Sequence, residues 1–120
     1  MKILLVALLF VSVSVPATAE VTREEERYCK LMAEFAYNTL ESRQEGRTYE
    51  QAKNSIEDKF WDSNDKFLKD VHEILEEAFG VGEYDYDYYT PEDADDRGGK
   101  QAQRQEFRRE TFDMCKISHL

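Results

Sequence analysis

Two cysteines, Cys29 and Cys115, limit what this chain can fold into, because they stand near the two ends of the part that follows an apolar leader. An even pair of cysteines in an exported protein typically forms a disulfide. Closing a loop of this length removes about 4 to 5 kcal/mol of chain entropy from the unfolded state. The sequence therefore predicts a fold whose ends are tied together by a Cys29–Cys115 disulfide, with two free buried thiols as the alternative.

The leader has the order of a secretory signal peptide. Lys2 precedes an apolar run, and the small-residue stretch 17–19 follows it. The apolar run is shorter than the roughly 20 residues that a membrane-spanning helix needs. We therefore expect a signal peptide at 1–19, a single helical domain at 20–120, no membrane association after cleavage, and a periplasmic or secreted location.

The charge balance is strongly acidic. The chain holds 26 acidic and 16 basic residues, a net charge of −10, and removal of Lys2 with the leader makes it −11. A negative field of this size repels phosphates, which excludes nucleic acid and anionic lipid as favourable partners. A cationic protein remains a suitable partner, and solubility alone is the other explanation for the acidity.

Two capping boxes predict the first two helices. Thr22 with Glu25 predicts the start of the first helix, and Gly46 offers the positive φ at which it ends. Thr48 with Gln51 predicts the start of the second helix.

The next segment allows two interpretations. Its apolar residues continue the helical phase to Gly80, but polar residues interrupt it after Phe60 and Trp61. Either one long helix bends there, or Asp62 or Ser63 caps a third helix; we favour the break, with Phe60 or Trp61 buried at the corner.

The last helix is expected from Lys100 to Lys116 and has a thin apolar face, mainly Phe107, Met114, Cys115 and Ile117. Burial alone would hold such a helix weakly, so the disulfide is expected to clamp it against the first helix. The predicted fold class is all-α: a small bundle of three to four helices closed by one disulfide between the first and last helices. An irregular, acidic, tyrosine-rich loop spans 81–99.

Several of these elements occur together in a known pattern. Cys29 lies early in the first helix, and the segment 43–46 closes that helix with Arg and Gly. Thr-Pro-Glu-Asp at 90–93 opens the last helical region, and Phe112 and Cys115 end it. In this the chain resembles small exported two-cysteine helical proteins of bacteria and phages whose function is unknown. The resemblance implies a helical fold and export, and it carries over no catalytic residue.

The motifs of common catalytic and metal sites are incomplete. The acidic loop starts like an EF-hand at Asp85, but Thr90 occupies the position where the turn needs Gly. The segment His72 to Glu76 has Glu where the zinc-protease helix needs its second His. No carboxylate pair has the apolar setting that a glycoside hydrolase would use. We therefore expect no enzyme activity and no cofactor or metal site, with loose Ca²⁺ binding by the acidic loop left open.

The segment 83–96 carries seven carboxylates and four tyrosines, without Lys, Arg or His. One interpretation is structural: the loop folds over the basic last helix, through exposed ion pairs worth about 0 to 1 kcal/mol each. The other is functional, because tyrosines give contact area at low entropic cost and carboxylates steer a basic partner. On that hypothesis the partner-binding residues are Tyr84, Asp85, Tyr86, Asp87, Tyr88 and Tyr89.

The function that fits these features is that of a small exported helical binding protein. An inhibitor or exclusion factor for a cationic partner agrees with the charge and with the tyrosine-rich loop. A periplasmic stress or chaperone-like protein is the alternative, as is a loop with a purely structural role.

Overall fold

A computed structural model describes residues 21–82 and 87–118, and within these ranges the protein forms four α-helices. They are α1 (Arg23–Gln44), α2 (Tyr49–Lys59), α3 (Asp65–Phe79) and α4 (Lys100–Ser118). Two short 3-10 turns, Pro91–Asp93 and Asp95–Arg97, precede α4, and these described ranges contain no strand. The predicted all-α class is confirmed. The expected signal peptide lies outside the described residues.

The capping boxes act as predicted. The Thr22 hydroxyl accepts a hydrogen bond from the Glu25 amide, and the Glu25 carboxylate accepts one from the Thr22 amide. Thr48 and Gln51 make the same reciprocal pair at the start of α2. Each pair satisfies two backbone groups that the first turn of a helix leaves without intrahelical partners.

Glycine ends α1 and α3. Gly46 has φ +98 just after α1, and Gly80 has φ +64 at the end of α3. A side chain is strained at such angles, so both positions suit glycine.

The chain breaks between α2 and α3, as favoured, but with a different cap. Asn64, and neither Asp62 nor Ser63, caps α3 through a 2.8 Å hydrogen bond from the Phe67 amide. Phe60 packs edge-on against Phe67, with ring centroids 5.0 Å apart. Trp61 is 78% exposed, so Phe60 anchors the corner.

Helix α1 is the centre of the bundle, and both α3 and α4 pack mainly against it and little against each other. Its buried face places Met32, Ala36 and Leu40 in the core. The other helices and the loop complete that core with Ala52, Ile56, Val71, Ile74, Leu75, Ala78, Phe79, Tyr89 and Phe107. Over the described ranges, no helix has the length and apolar character required to cross a bilayer.

The Cys29–Cys115 disulfide joins α1 to α4, which confirms the predicted pairing. Phe107 is the apolar residue of α4 that reaches the core, with 0% exposure. Met114 and Ile117 were expected on the same buried face, yet they are 64% and 60% exposed. The covalent bond therefore holds the end of α4 at which the apolar side chains remain open to solvent.

Candidate functional site

The acidic loop was the predicted partner-binding region, and part of it is built into the protein. Tyr84, Asp85 and Tyr86 lie outside the described residues. Asp87 forms a two-pronged ion pair with Arg43, in which the guanidinium nitrogens donate to both carboxylate oxygens at 2.7 and 2.5 Å. Arg43 also donates to the carbonyl of Ala78, at 2.9 Å. Asp87 thus fixes the loop to the end of α1 and the end of α3.

Tyr89 is a core residue, with 1% exposure. The centroid of its ring lies 4.7 Å from that of the Phe107 ring, and its hydroxyl donates a 2.7 Å hydrogen bond to Glu110. Burial and then the bond to Glu110 raise the pKa of the Tyr89 hydroxyl well above its ordinary value. A side chain this deeply buried offers almost no surface to a partner, so its observed contacts are internal.

Tyr88 is the described loop tyrosine that reaches the surface, at 36% exposure. Its hydroxyl donates to Glu106 at 2.8 Å, which raises the pKa of the tyrosine, and the Arg97 guanidinium lies 3.8 Å from its ring centroid. Arg97 also donates to the Tyr88 carbonyl. The ring is held by α4 and by the 3-10 turn before it.

Two basic residues of α4, Arg104 and Arg108, face the first helix. Arg104 lies 3.9 Å from a carboxylate oxygen of Glu41, and Arg108 lies 3.4 Å from one of Glu34. Both guanidinium groups also lie over the ring of Tyr37, at 5.2 and 4.9 Å from its centroid. The structural interpretation of the loop is therefore modified: Asp87, the described loop acid that forms an ion pair, pairs with Arg43 of α1, and these two arginines of α4 pair with α1 as well.

A groove with a volume of about 680 Å³ lies between α3 and α4. We call it the acidic groove. Its floor includes the buried side chains Met32 from α1 and Ile74 from α3, and the disulfide residue Cys115 of α4 also lines it. The residues that line it are Met32, Asp70, Glu73, Ile74, Glu77, Glu110, Thr111, Asp113, Met114, Cys115 and Ser118.

Among the described residues that line the groove, five are acidic and none is basic. Two of the five have a basic neighbour on their own helix: Asp70 pairs with Lys66 at 2.9 Å, and Asp113 with Lys116 at 4.0 Å. Asp70 also accepts a hydrogen bond from the hydroxyl of Tyr28.

The other three carboxylates, Glu73, Glu77 and Glu110, form no ion pair with any described basic side chain. Burial raises the pKa of Glu77, and the charge of Glu110 across the groove raises it further. The part of the groove around Glu77 and Glu110, which we call its inner end, therefore holds negative charge at a cost in free energy. A bound cation would reduce that cost.

Within the described residues, no group of three or more His, Cys, Asp or Glu side chains is placed to hold a metal ion. The groove carboxylates are spread along its two walls instead of meeting at a point. His72, which begins the segment compared with the zinc-protease helix, is half-buried on α3.

The sequence contains a signal for one wall of this groove. Asp70, Glu73 and Glu77 follow the i, i+3, i+7 spacing of a single helix face, beside the apolar residue Ile74. Met114 was predicted to lie on the buried face of α4, but it is exposed. The periodicity of α4 shows which side of the helix is apolar, and it does not show where a neighbouring helix stops covering that side. The groove depends on how α3 and α4 sit on α1, which is a tertiary property.

Comparison of the chain with protein-family models, with curated proteins and with solved structures finds no match to any of them.

Proposed function

We propose that this protein is an exported binding protein for a cationic partner, and that the acidic groove is where the partner binds. The observation that carries the proposal is the set of three groove carboxylates, Glu73, Glu77 and Glu110, without described basic partners above an apolar floor. Positive charges on a partner would pair with these carboxylates, of which Glu110 also accepts the hydrogen bond from Tyr89, and would increase the rate of association.

Export is supported by the disulfide and by the leader at 1–19. A disulfide between the first and last helices is compatible with an oxidising compartment. An inhibitor or exclusion factor that captures a basic enzyme or a basic incoming protein fits this location and charge. The tyrosine-rich loop remains a predicted second contact, through Tyr84, Asp85 and Tyr86.

The experiment is calorimetric titration of the oxidised protein with an oligolysine of about ten residues, long enough to cover both walls of the groove. We expect binding that weakens as salt is raised, because exposed charges are screened. The E73Q/E77Q pair should weaken it by about tenfold, a change of about 1.4 kcal/mol.

The matched control is E57Q/D58N, which removes the same charge from the exposed surface of α2. This control should bind oligolysine nearly as well as the unaltered protein. An equal loss of oligolysine affinity in the two double variants would show that net charge alone attracts the peptide. The groove would then not be the binding site. Absence of oligolysine binding at low salt would contradict the proposal as a whole.

A further inference from the structure

The walls of the acidic groove are helices, and their lining residues set its length. On α3 the lining runs from Asp70 to Glu77, and on α4 it runs from Glu110 to Ser118. At 1.5 Å per residue, these stretches are about 10 and 12 Å long, or two to three helical turns. The groove is therefore an elongated trough along two helices, and a single ion or small round ligand would fill only a part of it.

Apolar side chains stand in the floor of this trough and on its α4 wall. Met114 is 64% exposed at the groove, and Ile117, one turn of α4 away from it, is 60% exposed. Met32 and Ile74 lie beneath, nearly buried. Contiguous exposed apolar surface next to a charged rim is typical of a surface that binds another protein segment. Methionine adapts its shape to different partners, which suits such a contact.

The acidic rim has the spacing of a helix face. Asp70, Glu73 and Glu77 stand at i, i+3 and i+7 on α3, and Glu110 faces them from α4. A helix lying in the trough presents side chains with the same repeat, so basic residues on both sides of its apolar stripe can reach both walls. A peptide in extended conformation repeats every two residues and would match this spacing poorly.

From this geometry we infer that the occupant of the acidic groove is a basic amphipathic helix of a partner protein, seated between α3 and α4 with its apolar stripe on Met114, above the floor that Met32 and Ile74 form. It would be an additional helix packed on the bundle, at the interaxial distance of about 8 to 10 Å that helix pairs adopt. The inference rests on the proposed function and specifies the class of partner.

The test uses two synthetic peptides of about 15 residues, roughly four helical turns, with the same lysine and leucine composition. In one peptide, leucines at i, i+3, i+4 and i+7 form a single stripe; in the other, the order is scrambled so that no stripe exists. We expect the oxidised protein to bind the amphipathic peptide at least about tenfold more tightly than the scrambled one. A central proline in the amphipathic peptide should remove that advantage, because it breaks the helix.

The M114S variant separates the apolar contact from the charges. Met114 is mostly exposed, so the substitution leaves the fold intact while it removes apolar surface from the groove. Binding of the amphipathic peptide should fall by about tenfold, and binding of oligolysine should fall much less, because oligolysine has no apolar stripe. The control L31S removes a similarly exposed apolar side chain, 56% exposed on α1 and absent from the groove lining, and should bind both peptides normally.

Each failure has its own meaning. If the scrambled and proline-containing peptides bind as tightly as the amphipathic one, the helix inference is wrong while the groove can still bind cations. If M114S and L31S weaken the amphipathic peptide equally, the apolar contact lies outside the groove and the inference is likewise overturned. Loss of oligolysine binding in every variant and in the unaltered protein would contradict the proposed function instead.

Discussion

The two ends of helix α4 are held by different forces. Toward its N-terminal half, Gln103 and Phe107 are fully buried, and Tyr89 from the loop covers Phe107. Toward its C-terminal end, Met114 and Ile117 are mostly exposed, and the bond from Cys115 to Cys29 fixes the helix to α1. We call these the packed end and the open end of α4.

The polar contacts follow the same division. At the packed end, the buried amide of Gln103 donates to the Thr90 carbonyl at 3.0 Å and accepts from Gln44 at 3.1 Å. The open end lines the acidic groove with Thr111, Met114 and Ser118. A helix end held by packing has no apolar surface left for a partner. A covalent bond restrains the open end without covering it, so stability and an accessible apolar face can coexist.

The largest expected effect is removal of the disulfide in the C29S/C115S variant. The bond closes a loop with a sequence separation of 86 residues, and on the chain-entropy model its loss costs about 4 to 5 kcal/mol of unfolding free energy. Urea denaturation of the oxidised protein and the variant measures the difference. Hydrogen exchange should show that amides near Met114 lose protection before those near Phe107. Uniform loss along α4 would contradict the division into two ends.

The packed end is tested by F107A. Phe107 has no exposed surface, and truncating a buried phenylalanine typically costs about 3 to 4 kcal/mol in transfer and cavity terms. In the comparison variant I117A, the truncated side chain is 60% exposed, and we expect a change within about 0.5 kcal/mol. Both are measured by thermal and urea denaturation with the disulfide intact. A similar cost for the two substitutions would mean that the open end is packed in solution.

Local features of this fold could be predicted from the sequence, and they depend on few residues close together in the chain. The capping residues Thr22 and Thr48 each act on a backbone amide three residues away, so their effect is independent of the rest of the fold. The disulfide could be predicted because a single pair of cysteines has a single intramolecular pairing. The cap at Asn64 was missed by one or two positions, since Asp62, Ser63 and Asn64 are all good caps.

The tertiary features could not be predicted. Tyr89 stands in a highly acidic segment that reads as solvent-exposed, yet the pairing of Asp87 with Arg43 fixes the loop next to the place where Tyr89 enters the core. Arg43 lies 44 residues from Asp87 in the sequence, and no local pattern indicates the contact between them. The acidic groove needs three helices in defined relative positions. Helical periodicity indicates which side of a helix is apolar, and it leaves open whether a neighbour covers that side.

The smallest expected effect concerns Glu77, where the open end of α4 meets α3. Burial and Glu110 raise the pKa of Glu77 above its ordinary value of 4.5, so the folded protein holds this proton to a higher pH than the unfolded chain does. Between these two pKa values the folded state binds more protons, and this group's contribution to stability falls as the pH rises. At pH 7 the charged Glu77 is therefore destabilising.

The E77Q variant removes that charge, and at pH 7 it should be more stable than the unaltered protein by about 0.5 kcal/mol, the size of a like-charge repulsion between helix side chains. The gain should be largely lost at about pH 3, well below the ordinary pKa of 4.5, because Glu77 is then protonated in the folded and in the unfolded state. Urea denaturation at the two pH values gives the comparison, and E73Q, an exposed acid on the same wall, should show a smaller gain at pH 7. A gain for E77Q that is the same at both pH values would arise from packing. It would then remove the reason to regard the inner end of the groove as a place where a cation is needed.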